Sequence, residues 1–330
     1  MFSKKALSLT LLIVIVASLF AVPVSAQGGE NWCEGKTIRY FVGGAEGDAF
    51  ASIVLRGAQQ ADEDLGPDVE YVFSGWDSEQ MVQQLREAIA TQPDGIAMMG
   101  HPGDDALMPL IEEAAAAGIV MMYQNVDVPE VRAAFGGGYV GAKLVEQGRA
   151  LGEEAIRQFG LGEGDHAIAF VPYDQPGRYY REEAVQIALE AAGVTVDVIL
   201  PEPPWATDPM LMLPSLTAGV LGNPDTSVIV YPGGQQLGAV PAFMDALDKA
   251  PGEIVNIGFD TSPAIMEGFE GGWVQLTSDQ QPFQQGYLPI LSICGTLVYG
   301  FGPLNVDTGA GFVDASNYLD VAELATAGLR

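Results

Sequence analysis

Basic residues are scarce: 14 Lys and Arg stand against 43 Asp and Glu, for a net charge of −29 at pH 7. A surface this acidic repels phosphate backbones and anionic lipid, which excludes nucleic acid and anionic membrane surfaces as partners. The acidity is read as a surface property, a matter of solubility or of adaptation to salt, and not as a statement about the ligand. Histidine and cysteine are scarcer still, with two of each and no Cys-x-x-Cys, so no metal site is expected. Beyond residue 22 no apolar run is long enough to span a bilayer. A Gly-x-Ser-x-Gly elbow is missing and no Cys–His pair carries a nucleophile's local signature, so no catalytic residue is assigned. The turn Gly43-Gly44-Ala45-Glu46-Gly47 lacks the full Gly-x-Gly-x-x-Gly spacing of a dinucleotide loop, and no cofactor is expected. Also absent is any linker rich in Gly, Ser or charge between the two halves of the chain.

The N-terminus has a clear signature. Lys4 and Lys5 precede an apolar run from Ala6 to Val22, and Val24-Ser25-Ala26 supplies small residues for cleavage before Gln27. This pattern predicts a secretory signal peptide over residues 1–26 and a periplasmic or extracellular protein; an uncleaved anchor is the alternative. In an oxidising compartment Cys33 and Cys294 form either a disulfide or two separate thiols, and spacing alone does not choose between them.

From residue 37 onward, short β-rich apolar runs alternate with amphipathic stretches, the pattern of a parallel sheet flanked by helices. Strands are predicted at 37–44, 69–73, 95–99 and 119–123, with helices at 49–65, 78–91 and 104–117. After the glycine-rich patch Phe135-Gly136-Gly137-Gly138-Tyr139 comes a helix over 141–159, and the rhythm restarts. Strands follow at 166–171, 195–200, 227–231, 254–259 and 274–277, with helices at 179–192, 210–221, 236–248, 264–269 and 283–299. The fold class is therefore α/β, with two Rossmann-like lobes whose strand-end loops face each other across one cleft.

Those loops carry Asp48, Phe50, Trp76, Asp77, His101, Gln124, Asn125, Asp127, Arg178, Tyr179, Asp260 and Gln280. Carboxylates and amides bind vicinal hydroxyls, and flat rings cover the C–H faces of a pyranose. The set points to a small polar ligand, a sugar above all. The plainer alternative is that Asp77, Asp104 and Ser262 only cap the next helix. Acid pairs such as Glu182-Glu183 read as a solvated helix face.

The runs PDGIAMMGHPGDDALMPLIEEAAAAGIVMMYQNVD, YVGAKLVEQGRALGEEA and IVNIGFDTSPAIMEGFEGGWVQLTSDQQPFQQGY resemble the type I periplasmic sugar-binding proteins, the ribose- and galactose-binding group that serves ABC transporters. The likeness runs from about Lys36 to Asn317. It implies two lobes joined by three crossovers, residues 35–140 plus 275–300 in one and 141–274 plus 301–330 in the other. It also implies a monomer that closes on its ligand like a hinge and delivers it to a membrane permease. By position, Asp48 and Phe50 occupy the family's first ligand loop, Asn125 the end of strand four, Asp260 the place of its sugar-binding Asp, and Gln280 that of its Gln before a Pro–helix junction. Arg178 and Tyr179 fall where an Arg often meets the ring. Departures are His101, where Asn or Asp is commoner, and Pro232-Gly233-Gly234-Gln235 in place of Asn-Asp, which puts Gly234 at the ligand. Repressors with the same lobes carry a helix-turn-helix where this chain has its apolar leader. Two rivals to transport are a sensory receptor signalling through the same closed form and an exported glycosidase using Asp48 and Asp260.

Overall fold

The computed structural model describes residues 31–309 and 311–330; the leader expected over 1–26 lies outside them. The first lobe opens with β1 (Thr37–Gly43), α1 (Ala49–Leu65), β2 (Asp68–Phe73), α2 (Ser78–Ala90) and β3 (Gly95–Met99). It continues through α3 (Gly103–Ala116), β4 (Val120–Gln124), α4 (Pro129–Phe135) and β5 (Gly138–Gly141). The chain then crosses to α5 (Leu144–Phe159), β6 (His166–Phe170), α6 (Tyr180–Ala191), β7 (Thr195–Ile199) and α7 (Leu213–Gly222). In the same lobe follow β8 (Thr226–Val230), α8 (Gly234–Gly238), α9 (Val240–Ala246), β9 (Val255–Phe259), α10 (Pro263–Glu270) and β10 (Leu276–Asp279). It returns for α11 (Pro282–Tyr299) and β11 (Asn305–Asp307), and leaves again for β12 (Gly311–Asp314) and α12 (Tyr318–Thr326).

Two six-stranded sheets result, ordered β11-β5-β4-β3-β1-β2 and β12-β10-β9-β8-β6-β7. All pairings are parallel except β10 with β12. This pairing moves the expected lobe boundaries. Residues 275–300 were expected in the first lobe, yet β10 pairs with β9 of the second sheet. Residues 301–330 were expected in the second, yet β11 pairs with β5 of the first. Both strands are only three or four residues long, too short for periodicity to assign them to a sheet. The crossovers therefore fall at 141–144, 279–282 and 307–311.

Local chemistry explains the elements. Helix α1 starts where the Asp48 carboxylate accepts from the Ala51 N–H at 2.8 Å and stops at Gly66 in the left-handed region, a side-chain N-cap and a glycine stop. Its buried stripe packs on α11 so closely that a Cβ at Gly57 would meet the Phe283 carbonyl oxygen at 2.0 Å, and one at Gly286 the Val54 oxygen at 2.0 Å. The glycine-rich patch links α4 to β5: Gly136 and Gly137 take positive φ, and in β5 a Cβ at Gly138 would meet the Leu304 carbonyl oxygen at 2.0 Å, leaving no room for a side chain. The helix expected over 236–248 is two helices, with Pro241 in the first turn of the second, where its missing N–H costs nothing. Cys33 and Cys294 form a disulfide, Cα–Cα 5.6 Å, tying the segment before β1 to α11. One core fills the first lobe, and two cores pack the faces of the second sheet. Among the described residues no helix is long and apolar enough to cross a membrane.

Candidate functional site

The carboxyl ends of both sheets meet across a cleft of about 570 Å³. Several strands turn into it through residues in the left-handed region: Trp76 (φ 64°) after β2, Asn125 (φ 64°) after β4 and Asp260 (φ 77°) after β9. Asn and Asp tolerate that conformation; Trp does so at a cost, and such strain concentrates at functional sites.

On the first lobe, one Asp48 oxygen caps α1 while the other accepts from Trp76 Nε1 at 3.0 Å. The Trp76 ring lies between Phe50, 5.9 Å away, and His101, 5.3 Å away, forming an aromatic wall. His101 is buried and its Nδ1 has no partner. Burial, then the charges of Arg178 and Arg181, push its pKa down to about 3, so the ring is neutral. On the second lobe, Asp260 accepts from the Gly234 N–H at 2.8 Å and from the Gln280 side-chain amide. Burial holds its carboxyl above the usual range, with Arg181 acting in the opposite direction. Asn125 Nδ2 donates to Gln280 Oε1 at 3.3 Å and to Gln285 Oε1 at 3.1 Å. The lobes touch where Gln235 Nε2 reaches Asp48 Oδ2 at 3.3 Å.

The arginines are already spoken for. Arg178 Nη1 donates to both oxygens of Glu182 at 2.8 and 2.7 Å. Arg181 donates to the same carboxylate at 3.0 and 2.9 Å and stacks 3.7 Å over the Phe259 ring. Both also donate to the Pro232 carbonyl at 2.8 Å. Glu182 is fully buried, and buried charge is tolerable only when paired in this way. The cleft thus offers acceptors, amides and rings, and among the described residues its lining holds no cation other than the paired Arg178 and Arg181.

Nine of the expected residues line this cleft together: Asp48, Phe50, Trp76, His101, Asn125, Arg178, Gly234, Asp260 and Gln280. Two do not. Asp127 pairs with Arg132 at 2.7 Å and lines a separate, larger groove of about 1000 Å³; the left-handed turn at Asn125 sends the chain away before residue 127. Tyr179, at the cap of α6, packs its ring against Tyr173 (5.3 Å) and Tyr180 (4.5 Å) instead. Asp77 and Ser262 do cap α2 and α10, whereas Asp104 accepts from the Val131 N–H rather than from its own helix. Gln124 bonds the Phe41 carbonyl inside the first lobe. The larger groove has no share of the strand-end loops that build the cleft on the second sheet beyond Pro176 and Gly177. Sequence reasoning missed Arg181, Gln235, the 201–207 lip and the buried role of Glu182. The i, i+3, i+4 spacing of Arg178, Arg181 and Glu182 was the available signal, since it brings a residue just before α6 alongside two in its first turn.

Residues 39–294 match the periplasmic binding protein domain family. The chain is similar to the xylose/arabinose-binding protein XylF of Sulfolobus acidocaldarius, 26% identical over 272 residues, which cover 76% of this chain and 64% of that protein. The match thus spans less than two thirds of the relative's length. Among solved structures, the chain resembles a carbohydrate transporter from Acidothermus cellulolyticus 11B in complex with myo-inositol, with TM-score 0.75, 22% identity, and 89% and 99% of the two chains covered. It also resembles an ABC transporter solute binding protein from Agrobacterium vitis with bound D-fucose, with TM-score 0.77, 18% identity, and 90% and 100% covered. At these identities the structures establish the shared two-lobed fold.

Proposed function

The chain belongs to the periplasmic binding protein family, and from that premise we propose that it captures a neutral sugar outside the cytoplasm and delivers it to an ABC permease. The carrying observation is the cleft's charge balance: Arg178 and Arg181 both bond Glu182, with Asp260 the second anion acting on Arg181, while acceptors from the two lobes, Asp48 and Asp260, face the same space. A neutral polyol supplies the hydroxyl donors those carboxylates need and takes the orphaned His101 Nδ1 as its own partner. An anionic ligand finds no unpaired cation there. The relatives' ligands, xylose or arabinose, myo-inositol and D-fucose, are of this neutral class. The apolar leader supports export.

The ligand acts by preferring one posture of the lobes. It meets Asp48, Trp76 and His101 on one side and Asp260 and Gly234 on the other only when the cleft is shut, so its differential affinity shifts the population to the closed form. That form is what a permease recognises in this reading. The family and its binding-protein relatives favour capture over hydrolysis by Asp48 and Asp260.

Calorimetric titration with neutral aldoses and polyols, beside their uronic acids, tests the proposal. One neutral sugar is expected to bind, and Asp260→Asn to weaken it roughly 10- to 100-fold, as loss of a bond to a charged group does. Preference for the uronate, or for no saccharide at all, would refute it.

A further inference from the structure

The cleft extends well beyond its buried floor. Asp48, His101, Asn125, Asp260 and Gln280 are all buried, yet the same continuous cavity runs outward between two lips, Gly75 to Glu79 on the first lobe and Pro201 to Thr207 on the second. There the side chains of Asp77, Glu79, Glu202, Pro203, Pro204 and Thr207 are exposed. A hexopyranose has about twelve non-hydrogen atoms; allowing each the ~30 Å³ share of a liquid water, a generous figure, it fills roughly 360 Å³. The cavity of about 570 Å³ leaves space for more.

That space is not an effect of parted lobes. Gln235 already bonds Asp48 across the cleft, and Gly103 of the first lobe lies against Pro176 of the second. The outer lip is also held in place. Gln236 Nε2 donates to the Trp205 carbonyl at 2.8 Å, and the buried Trp205 ring stands edge-on to Phe170 at 6.1 Å. On the facing lip, Asp77 caps α2 and Ser74 Oγ donates to Gln84 at 2.6 Å. Two anchored lips therefore keep the outer section open after closure.

Its chemistry continues that of the floor. Ser78 and Thr207 supply hydroxyls, Glu79 and Glu202 supply acceptors, and the Pro203 and Pro204 rings supply apolar faces for C–H surface. No Lys or Arg belongs to either lip, so a uronate, phosphate or sulfate substituent finds no counter-charge. We infer that the ligand is a glycosidically extended neutral sugar, a disaccharide at least, with one ring on the buried floor and the next between the lips. This rests on the sugar-receptor reading above and names its substrate class.

The test is calorimetry of the protein with xylose, arabinose, glucose and galactose beside xylobiose, cellobiose, maltose, lactose and trehalose. One disaccharide is expected to bind roughly tenfold more tightly than its own monosaccharide, the affinity gained by burying about 55 Å² of C–H surface. Thr207→Trp, which fills the outer section from an exposed position, and Glu79→Gln are expected to reduce that advantage while leaving the monosaccharide Kd unchanged. A monosaccharide that binds as tightly as every disaccharide containing it would overturn the extension and leave the sugar reading standing. Binding of no mono- or disaccharide would overturn both.

Discussion

His101 makes the pH dependence of stability a direct readout of the cleft. In the unfolded chain a histidine takes up its proton near pH 6.5; in the fold, burial and the neighbouring arginines delay protonation to about pH 3. Between those values the unfolded state binds one more proton than the native state. Stability contributed by His101 is therefore fully present above pH 6.5 and is lost as pH falls toward 3. From pH 7.5 to 4.5 the loss is about 3 kcal/mol, two pH units below 6.5 at 1.36 kcal/mol each. Acidic side chains titrate over the same interval, so the observable is a difference. Urea unfolding of wild type and His101→Gln at pH 7.5, 6.0, 5.0 and 4.5 should show the variant gaining about 3 kcal/mol on the wild type. Sugar affinity should carry no pKa from His101 in that range, because the folded ring stays neutral. Asp260, whose carboxyl burial pushes upward, is the group expected to weaken binding in acid as its acceptor oxygens protonate. Parallel stability curves for the two proteins would refute the assignment of a buried neutral His101.

Three other perturbations have determined signs. Replacing both Cys33 and Cys294 by Ser opens a loop of 261 residues, worth about 5 kcal/mol on the chain-entropy account; scanning calorimetry should show Tm falling by roughly 10 °C, and an unchanged Tm would count against a structural bond. Glu182→Gln leaves Arg178 and Arg181 with only Asp260 as a nearby opposite charge, so urea titration should report a loss of about 3–5 kcal/mol. The surviving protein should also gain affinity for uronic acids, and equal stability would show that the arginines find water instead. Gln285→Leu removes the amide that donates to the Gln280 carbonyl at 2.8 Å and to Thr308 Oγ1 at 3.1 Å. Sugar affinity should drop roughly tenfold, and an unaltered Kd would show that Gln280 needs no such support.

The βα alternation was readable because each strand is a short apolar run ended by small or polar residues and each helix shows a 3.6-residue stripe. The strand-end loops followed from topology, since ligands gather at the carboxyl ends of parallel strands. That rule found Asp48, His101, Asn125 and Asp260 without any knowledge of distances. It failed at Asp127 and Tyr179, where one residue of turn decides whether a side chain enters the cleft. It failed differently at Glu182: a pair of acids in a helix looks solvated, and only the convergence of Arg178 and Arg181 on one carboxylate makes burial possible. The disulfide stayed open because 261 intervening residues carry no distance information. The short strands β10 and β11 were misassigned because three or four residues pair wherever a free edge lies, a fact of tertiary structure rather than of pattern.

Those two exchanged strands also suggest how a ligand could bias a hinge. Each lobe borrows chain from beyond the other, so the three crossovers are joined by hydrogen bonds, with Gln280 of the second lining the cleft. The Thr308 N–H donates to the Gly141 carbonyl at 3.1 Å, joining the third crossover to the first. Gln285 bonds Thr308 Oγ1 and the Gln280 carbonyl, joining the third to the second. Asn125 and Asp260 then reach this knot through the Gln285 and Gln280 side chains. In the proposed reading, a sugar resting on Asn125, Gln280 and Asp260 would be one or two hydrogen bonds from all three crossovers. Moving such an equilibrium from 1:99 to 99:1 requires about a 10⁴-fold preference for the closed form. Contacts with one lobe alone favour neither posture; that preference has to come from groups that converge only on closure. Asp48 and Trp76 on one lobe and Asp260 and Gly234 on the other line one cleft, and in the proposed reading they, with the knot of amides between them, are the groups that would supply it.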